Sequence, residues 1–267
     1  MIIGLNGYIG SGKDEVASII QYLTSHYYPN KSYNSFKEKL DSEWGRPQIT
    51  WENRKYGRKL KEVCAVLAGC SPEDFESQEF KNSKMPPEWG DMTYRKLLQI
   101  VGTEAIRNNV HENAWVNALF SEYKLPFNNP NWAEYLPNWI ITDVRFPNEK
   151  RAVKERNGIM IKIIRPFELT AGDAVDIRFF SNWTNNCTYI GPDKDSNTNS
   201  HLFIDSQGTK YSMGIDFTRI RKANLHISET ALDSISENYD FLVLNDGNLD
   251  DLVDKIKDIC KELKIIE

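Results

Sequence analysis

The chain opens on an apolar run. Ile2-Ile3-Gly4-Leu5 is followed by Asn6 and Gly7, which suits a short buried parallel strand. Past a glycine-rich stretch, Val16, Ala17, Ile19, Ile20 and Leu23 recur at helical spacing. The opening unit is therefore predicted as strand, loop, helix. Residues 26–56 are polar and aromatic and predict no clear element. A helix is expected over 58–68, with Leu60, Val63, Cys64 and Leu67 on one face and Gly69 just past its end. Ser71-Pro72-Glu73-Asp74 looks like a new helix start, with Ser as N-cap and Pro at the first helical position. Met85-Pro86-Pro87-Glu88 reads as a loop. Residues 94–108 predict one helix through Leu97, Leu98, Val101, Ala105 and Ile106. Trp115, Val116, Leu119, Phe120 and Tyr123 predict another.

A second clear unit begins at Trp139. Trp139-Ile140-Ile141-Thr142 predicts a buried strand ending in Asp143, Pro147 can open a helix that stops near Gly158, and Ile159–Ile164 is the next strand. This β-α-β crossover predicts parallel strands. From 168 to 224 the composition shifts to Asn, Asp, Ser, Thr and Gly. Short alternating runs such as His201-Leu202-Phe203-Ile204 and Lys210-Tyr211-Ser212-Met213 look like hairpin strands. The segment reads as a β-rich insertion within a single domain spanning 1–267. The core resumes at Asp240-Phe241-Leu242-Val243-Leu244. A last helix carries Leu249, Leu252, Val253, Ile256, Ile259, Cys260 and Leu263 as one apolar stripe. The fold class is α/β, with a parallel sheet.

Composition narrows the partners. The chain has 267 residues, 40% hydrophobic and 12% aromatic, enough for a substantial core. A formal net charge of −5 disfavours sequence-independent binding to a nucleic acid polymer. The four cysteines, Cys64, Cys70, Cys187 and Cys260, contain no C-x-x-C pair. They are expected to be reduced thiols without a zinc role. The N-terminus lacks a basic region, and no apolar run approaches the ~20 residues of a membrane span. A soluble cytoplasmic protein with no membrane partner is expected.

The chemistry starts at Gly7-Tyr8-Ile9-Gly10-Ser11-Gly12-Lys13, which fits G-x-x-x-x-G-K between a predicted strand and a predicted helix. In such a loop the backbone N–H groups and the helix N-terminus form an anion site. Lys13 would reach the β- and γ-phosphates of a nucleotide. The position after the lysine, usually Ser or Thr, is Asp14. Its carboxylate suits Mg²⁺, directly or through water, and equally suits the first turn of a helix. The plain alternative for the whole loop is a glycine turn.

An acceptor half-site has several candidates. Asp143 ends a predicted strand, and Arg145 follows in the loop at the strand's carboxyl edge, where open α/β sheets bind ligands. A helix-capping acid and a surface ion pair are the alternatives. Arg95 and Gln99 stand four apart and share a helix face. An Arg fork suits phosphate and a Gln amide suits a base edge. Trp115 could stack on a base or pack in the core. Lys59 and Lys61 open the 58–68 helix and also read as a solvated face.

Four ordered blocks together carry a resemblance. They are Gly10-Ser11-Gly12-Lys13-Asp14; Arg95 to Thr103 with Asn108-Asn109 and Trp115; Asp143-Val144-Arg145 with Glu149 and Arg165-Pro166; and His226-Ile227-Ser228-Glu229 with Asn245-Asp246-Gly247. With these the chain resembles the deoxynucleoside monophosphate kinases of tailed bacteriophages. The resemblance implies a P-loop NTPase three-layer fold related to nucleoside monophosphate kinases, often dimeric. It implies ATP on Gly7, Gly10, Ser11, Gly12, Lys13, Asp14 and Glu15, with Mg²⁺ at Asp14. Its small-molecule partner would be a deoxynucleoside 5′-monophosphate. Carried over residue by residue, Lys61, Arg95, Gln99, Gly102, Thr103, Trp115, Asp143 and Arg145 become acceptor-site candidates. Arg95 and Arg145 are expected at the acceptor phosphate and Gln99 with Trp115 at the base. Lys13, Asp143 and Arg145 are the catalytic candidates.

The sequence departs from that pattern twice. Glu15 stands where many relatives have Thr. The 168–224 segment lies where such kinases carry a lid, yet it is long and strand-like; Arg178, Arg219 and Arg221 are either lid arginines or surface residues. Rival readings are a P-loop kinase for dephospho-coenzyme A or a nucleoside, a nucleotide-binding protein without turnover, and a polynucleotide 5′-kinase, which the acidic balance disfavours.

Overall fold

Strand β1 (Ile2–Asn6) lies inside a five-stranded sheet of order β2-β3-β1-β4-β8. Its partners are β3 (Asn138–Ile141) and β4 (Ile159–Ile164), both parallel to it, and β4 pairs in parallel with β8 (Phe241–Leu244). The edge strand β2 is Trp51–Arg54. The computed structural model describes residues 1–8, 10–40, 42, 44–124, 136–165, 187–192, 200–205, 210–214, 232 and 239–267, with backbone alone at 187–192, 200–205 and 210–214. Arg178, Arg219, Arg221, Pro166 and the 226–229 block lie outside the described residues.

The described residues form two compact units, Met1–Asn53 with Asn138–Glu267, and Arg54–Pro137. In the first, side chains alternate across the sheet as strand geometry requires. Ile3, Leu5, Ile140, Ile161, Ile163, Phe241 and Val243 share one core with helices α1 (Lys13–Leu23) and α8 (Leu249–Glu262). Tyr33 and Phe36 of helix α2 (Tyr33–Leu40) join it. The intervening residues Ile2, Trp139, Ile141 and Met160 are buried on the other face. Helix α7 (Pro147–Lys154) packs there against β1 and β4. Helices on both faces of a parallel sheet make the expected three layers. The crossover from β3 through α7 to β4 is parallel as expected, with β1 inserted between the two strands. The last helix starts with a reciprocal cap, in which Asn248 Oδ1 accepts from Asp251 N–H and the Asp251 carboxylate accepts from Asn248 N–H.

The predicted hairpin in 168–224 is present as β6 (Ser200–Asp205) antiparallel to β7 (Lys210–Gly214). A further strand, β5 (Cys187–Pro192), makes a three-stranded sheet of order β5-β6-β7.

The second unit is helical. Its core holds Cys64, Ala65, Phe75, Met85, Leu97 and Val101. Helix α3 (Gly57–Ala68) ends at Gly69, whose φ of 67° forms the left-handed stop. Ser71 caps as expected, but only a 3₁₀ turn, Pro72–Glu76, follows it. Helix α4 is Gln78–Asn82. The stretch read as one helix over 94–108 divides into α5 (Tyr94–Gln99) and a π-helix at Ile100–Arg107. Helix α6 is Ala114–Phe120. Among the described residues no helix is long and apolar enough to cross a membrane.

Candidate active site

The chain leaves β1 at Asn6, and Gly12 leads it into α1. Gly12 precedes the helix at φ 100° and supplies no side-chain cap. That left-handed backbone favours glycine. Space also demands it, since a Cβ on Gly12 would stand 2.6 Å from Asn245 Nδ2. The same Asn245 amide donates to Ser11 O at 2.9 Å, and Arg165 Nη1 donates to Gly10 O at 3.1 Å. Side chains just past β8 and β4 thus grip two carbonyls of the loop. Lys13 Nζ donates to Gly7 O at 2.7 Å and to Tyr8 O at 2.6 Å. Ser11 is fully buried, and its Oγ has no hydrogen-bond partner among the described residues.

These groups surround a cavity of about 450 Å³ lined by Gly10, Gly12, Lys13, Asp14, Glu15, Arg165, Asn245 and Gly247–Leu249 with Leu252. Lys13, Arg165 and the partial positive charge of the α1 N-terminus make it attractive to anions. Asp14 lies in the first turn of α1 and is exposed. The Asp14 carboxylate at this cavity suits Mg²⁺ arriving on phosphates, because that ion takes one or two carboxylates and keeps its waters. Among the described residues no group of three His, Cys, Asp or Glu could hold a metal alone. Glu15 is committed to α2: its Oε1 accepts from Tyr33 O–H at 2.9 Å, and Lys37 Nζ lies 3.0 Å from Oε2. Burial, and then the Glu15 charge, push the Tyr33 phenol above its ordinary range.

Asp143 and Arg145 follow β3, with Asp143 two residues past the strand rather than closing it. Val144, between them, donates its N–H to Leu5 O at 3.3 Å and accepts at its carbonyl from Asn6 Nδ2 at 2.8 Å. The buried Glu149 carboxylate accepts from the N–H groups of Arg145 at 2.8 Å and Phe146 at 3.1 Å. An acid at that place satisfies the open donors of the α7 N-terminus. The turn bearing both candidates is thereby tied to the last two residues of β1.

In the helical unit, Arg95 and Gln99 share α5, and Gly102 and Thr103 follow in the π-helix. Arg95 donates to Asn82 Oδ1 and Gln78 Oε1, each at 2.8 Å. Both acceptors are neutral. The Gln99 side chain makes no hydrogen bond among the described residues. Trp115 is buried, and its Nε1–H donates to Gly102 O at 2.8 Å. Lys61 forms an ion pair with Glu76 at 2.6 Å.

The structure therefore gathers Gly10, Gly12, Lys13, Asp14 and Glu15 at one cavity, without Gly7 and Ser11 in its lining, and places Asp143 and Arg145 on one turn and Arg95, Gln99, Gly102 and Thr103 on one helical stretch. Six of the lining residues were not among the sequence site candidates; Arg165 and Asn245 are the two whose side chains hold the loop, and the sequence had them only within the resemblance blocks, without a role. Their signal was place: each follows a strand at the carboxyl edge that carries the loop.

No family model matches the chain. A protein of Acanthamoeba polyphaga mimivirus, named as a deoxynucleotide monophosphate kinase, is 30% identical over 174 residues, covering 62% of this chain and 75% of the relative. The deoxynucleoside-5′-monophosphate kinase of Escherichia phage T5 is 29% identical over 190 residues, covering 59% of this chain and 73% of the relative. With a glycine-rich loop between strand and helix in a parallel α/β sheet, the chain belongs to the deoxynucleoside monophosphate kinase family.

Proposed function

We propose that this chain transfers the γ-phosphoryl group of ATP to a deoxynucleoside 5′-monophosphate, giving the diphosphate and ADP. One observation carries the reading: Lys13, Arg165, Asp14 and the α1 N-terminus line a single cavity of about 450 Å³, in a chain whose relatives are named for that reaction.

The acceptor oxygen belongs to a phosphate already ionised near neutral pH, so no strong general base is needed. Catalysis is then alignment plus charge stabilisation. Lys13 exchanges the carbonyls of Gly7 and Tyr8 for β- and γ-phosphate oxygens. Gly7, Gly10, Ser11 and Gly12 supply the curled backbone around them. Asp14 would hold Mg²⁺ arriving with the nucleotide, which would supply charge to offset that of its phosphates. Glu15 holds α2 against α1 through Tyr33 and Lys37, a role its bonds support better than direct phosphate contact.

For the acceptor, the resemblance assigns Arg145 and Arg95 to the 5′-phosphate, with Asp143 on the same turn as Arg145 at the carboxyl edge of the sheet. Gln99 reads the base. Trp115, Gly102 and Thr103 shape the turn that presents Gln99. Lys61 completes the acceptor set only by exchanging Glu76 for substrate.

A coupled ADP-release assay with ATP, Mg²⁺ and each dNMP and NMP in turn tests this. Turnover with at least one dNMP is expected, falling on the order of 10²-fold or more in Lys13→Ala. ATP binding without turnover on any monophosphate would overturn the assignment.

A further inference from the structure

We infer that Asn6 and Tyr239 are positioning residues that fix the distance between the phosphate loop and the Asp143–Arg145 turn. The inference rests on the kinase reading above and adds two residues to it.

Asn6 is the last residue of a central strand and is only 7% exposed. A buried amide there is costly unless both ends are satisfied. Both are. Nδ2 donates to Val144 O at 2.8 Å, and Oδ1 accepts from Tyr239 O–H at 2.9 Å. Residues on either side of this pair bear the chemistry. Gly7 begins the loop, and Val144 stands between Asp143 and Arg145. With the Val144 N–H on Leu5 O at 3.3 Å, the turn is fixed to β1 at two consecutive residues.

Tyr239 is the rear support. It is 2% exposed, and its ring is faced by Lys150 Nζ at 4.1 Å and Lys162 Nζ at 5.4 Å from the centroid. Both ammonium groups favour the ring's electron-rich face. Lys162 is the register partner of Asn6 across β1 and β4, so it shares a sheet face with it. The chain Tyr239, Asn6, Val144 thus leads from a ring held on the sheet to the turn carrying Asp143 and Arg145. In-line transfer is sensitive to such spacing, because a misplacement of about 1 Å can cost on the order of 10²-fold in rate.

The test compares the full chain with Asn6→Leu and Tyr239→Phe, measuring kcat for dNMP phosphorylation and, without acceptor, the Kd for ATP. Asn6→Leu is expected to lose about tenfold or more in kcat and Tyr239→Phe about threefold, with the Kd for ATP within about twofold of wild type. Tyr239→Phe removes one hydroxyl, so it keeps the test open if Asn6→Leu does not fold. Unchanged kcat in the folded variants overturns the inference. So does a Kd for ATP that rises in step with the loss of rate, which would mean that the network shapes the loop alone. A wild-type chain that turns over no dNMP overturns the kinase reading and this inference with it. Wild-type turnover with unimpaired variants overturns this inference alone.

Discussion

The indole N–H of Trp115 donates to the carbonyl of Gly102 across 2.8 Å. Gly102 lies in the π-helix that follows Gln99, and a Cβ on it would stand 2.8 Å from Leu60 Cδ2. The glycine lets the helix approach α3, and the indole secures its carbonyl. π-Helical turns are rare and concentrate at functional sites. Trp115→Phe keeps a ring and deletes the donor. It is expected to cost about 1–3 kcal/mol in denaturant unfolding and to raise KM for the dNMP while leaving KM for ATP unchanged. Equal performance by Phe would assign Trp115 to ring contact rather than to this bond.

Gly12→Ala tests the other special backbone. A side chain there meets a left-handed φ of 100° and the Asn245 amide at 2.6 Å. The backbone term alone costs about 1–2 kcal/mol. A melt lowered by a few degrees is expected, together with a Kd for ATP raised about tenfold or more, since the loop can relax only by moving its N–H groups. Wild-type affinity in a folded Gly12→Ala chain would show that Asn245 does not hold the loop in this form.

Much of the fold was legible because its strands are continuous apolar runs. Ile159–Ile164 follows a glycine and is buried on both faces save for its first residue, so pattern and length agree. Residues 26–56 hid α2 and β2 because neither has a period to read. Tyr33 and Phe36 are the buried residues of α2, and β2 buries Trp51 alone. The π-helix was hidden for another reason: over eight residues an apolar stripe does not separate a π from an α period. At the site, Gly12 and Lys13 announced themselves by spacing. Asn6 did not, because its partners Val144 and Tyr239 are 138 and 233 residues away. Only the order of strands in the sheet brings them to it.

The Tyr33 phenol gives a pH dependence with a definite sign. Its pKa is raised by burial first and by the Glu15 carboxylate second. The unfolded phenol ionises near pH ~10. Above that pH the folded chain keeps a proton that the unfolded chain has lost, so stability falls as pH rises through that range. Tyr22 is raised as well, again chiefly by burial, and contributes in the same direction. Urea midpoints between pH 8 and 11 are expected to fall more steeply for wild type than for Tyr33→Phe. Parallel slopes would remove Tyr33 as the source.

Arg95 and Lys61 are both cations of the helical unit, but their surroundings separate them. Lys61 lies 2.6 Å from the Glu76 carboxylate, so its charge is already offset. Arg95 is held by two neutral oxygens, from Asn82 and Gln78, which orient the guanidinium without cancelling it. Only the second arrangement leaves a positioned positive charge for an incoming phosphate. A charge-assisted hydrogen bond contributes about 1.5–3 kcal/mol, so Arg95→Ala is expected to raise KM for the dNMP by about 10- to 100-fold. Lys61→Ala should change it by no more than a few-fold, in keeping with an exposed ion pair. Glu76→Gln, which releases Lys61, should leave KM unchanged or lower it. Steady-state kinetics on the three variants decide the matter. A large loss in Lys61→Ala beside a small one in Arg95→Ala would reverse the two roles.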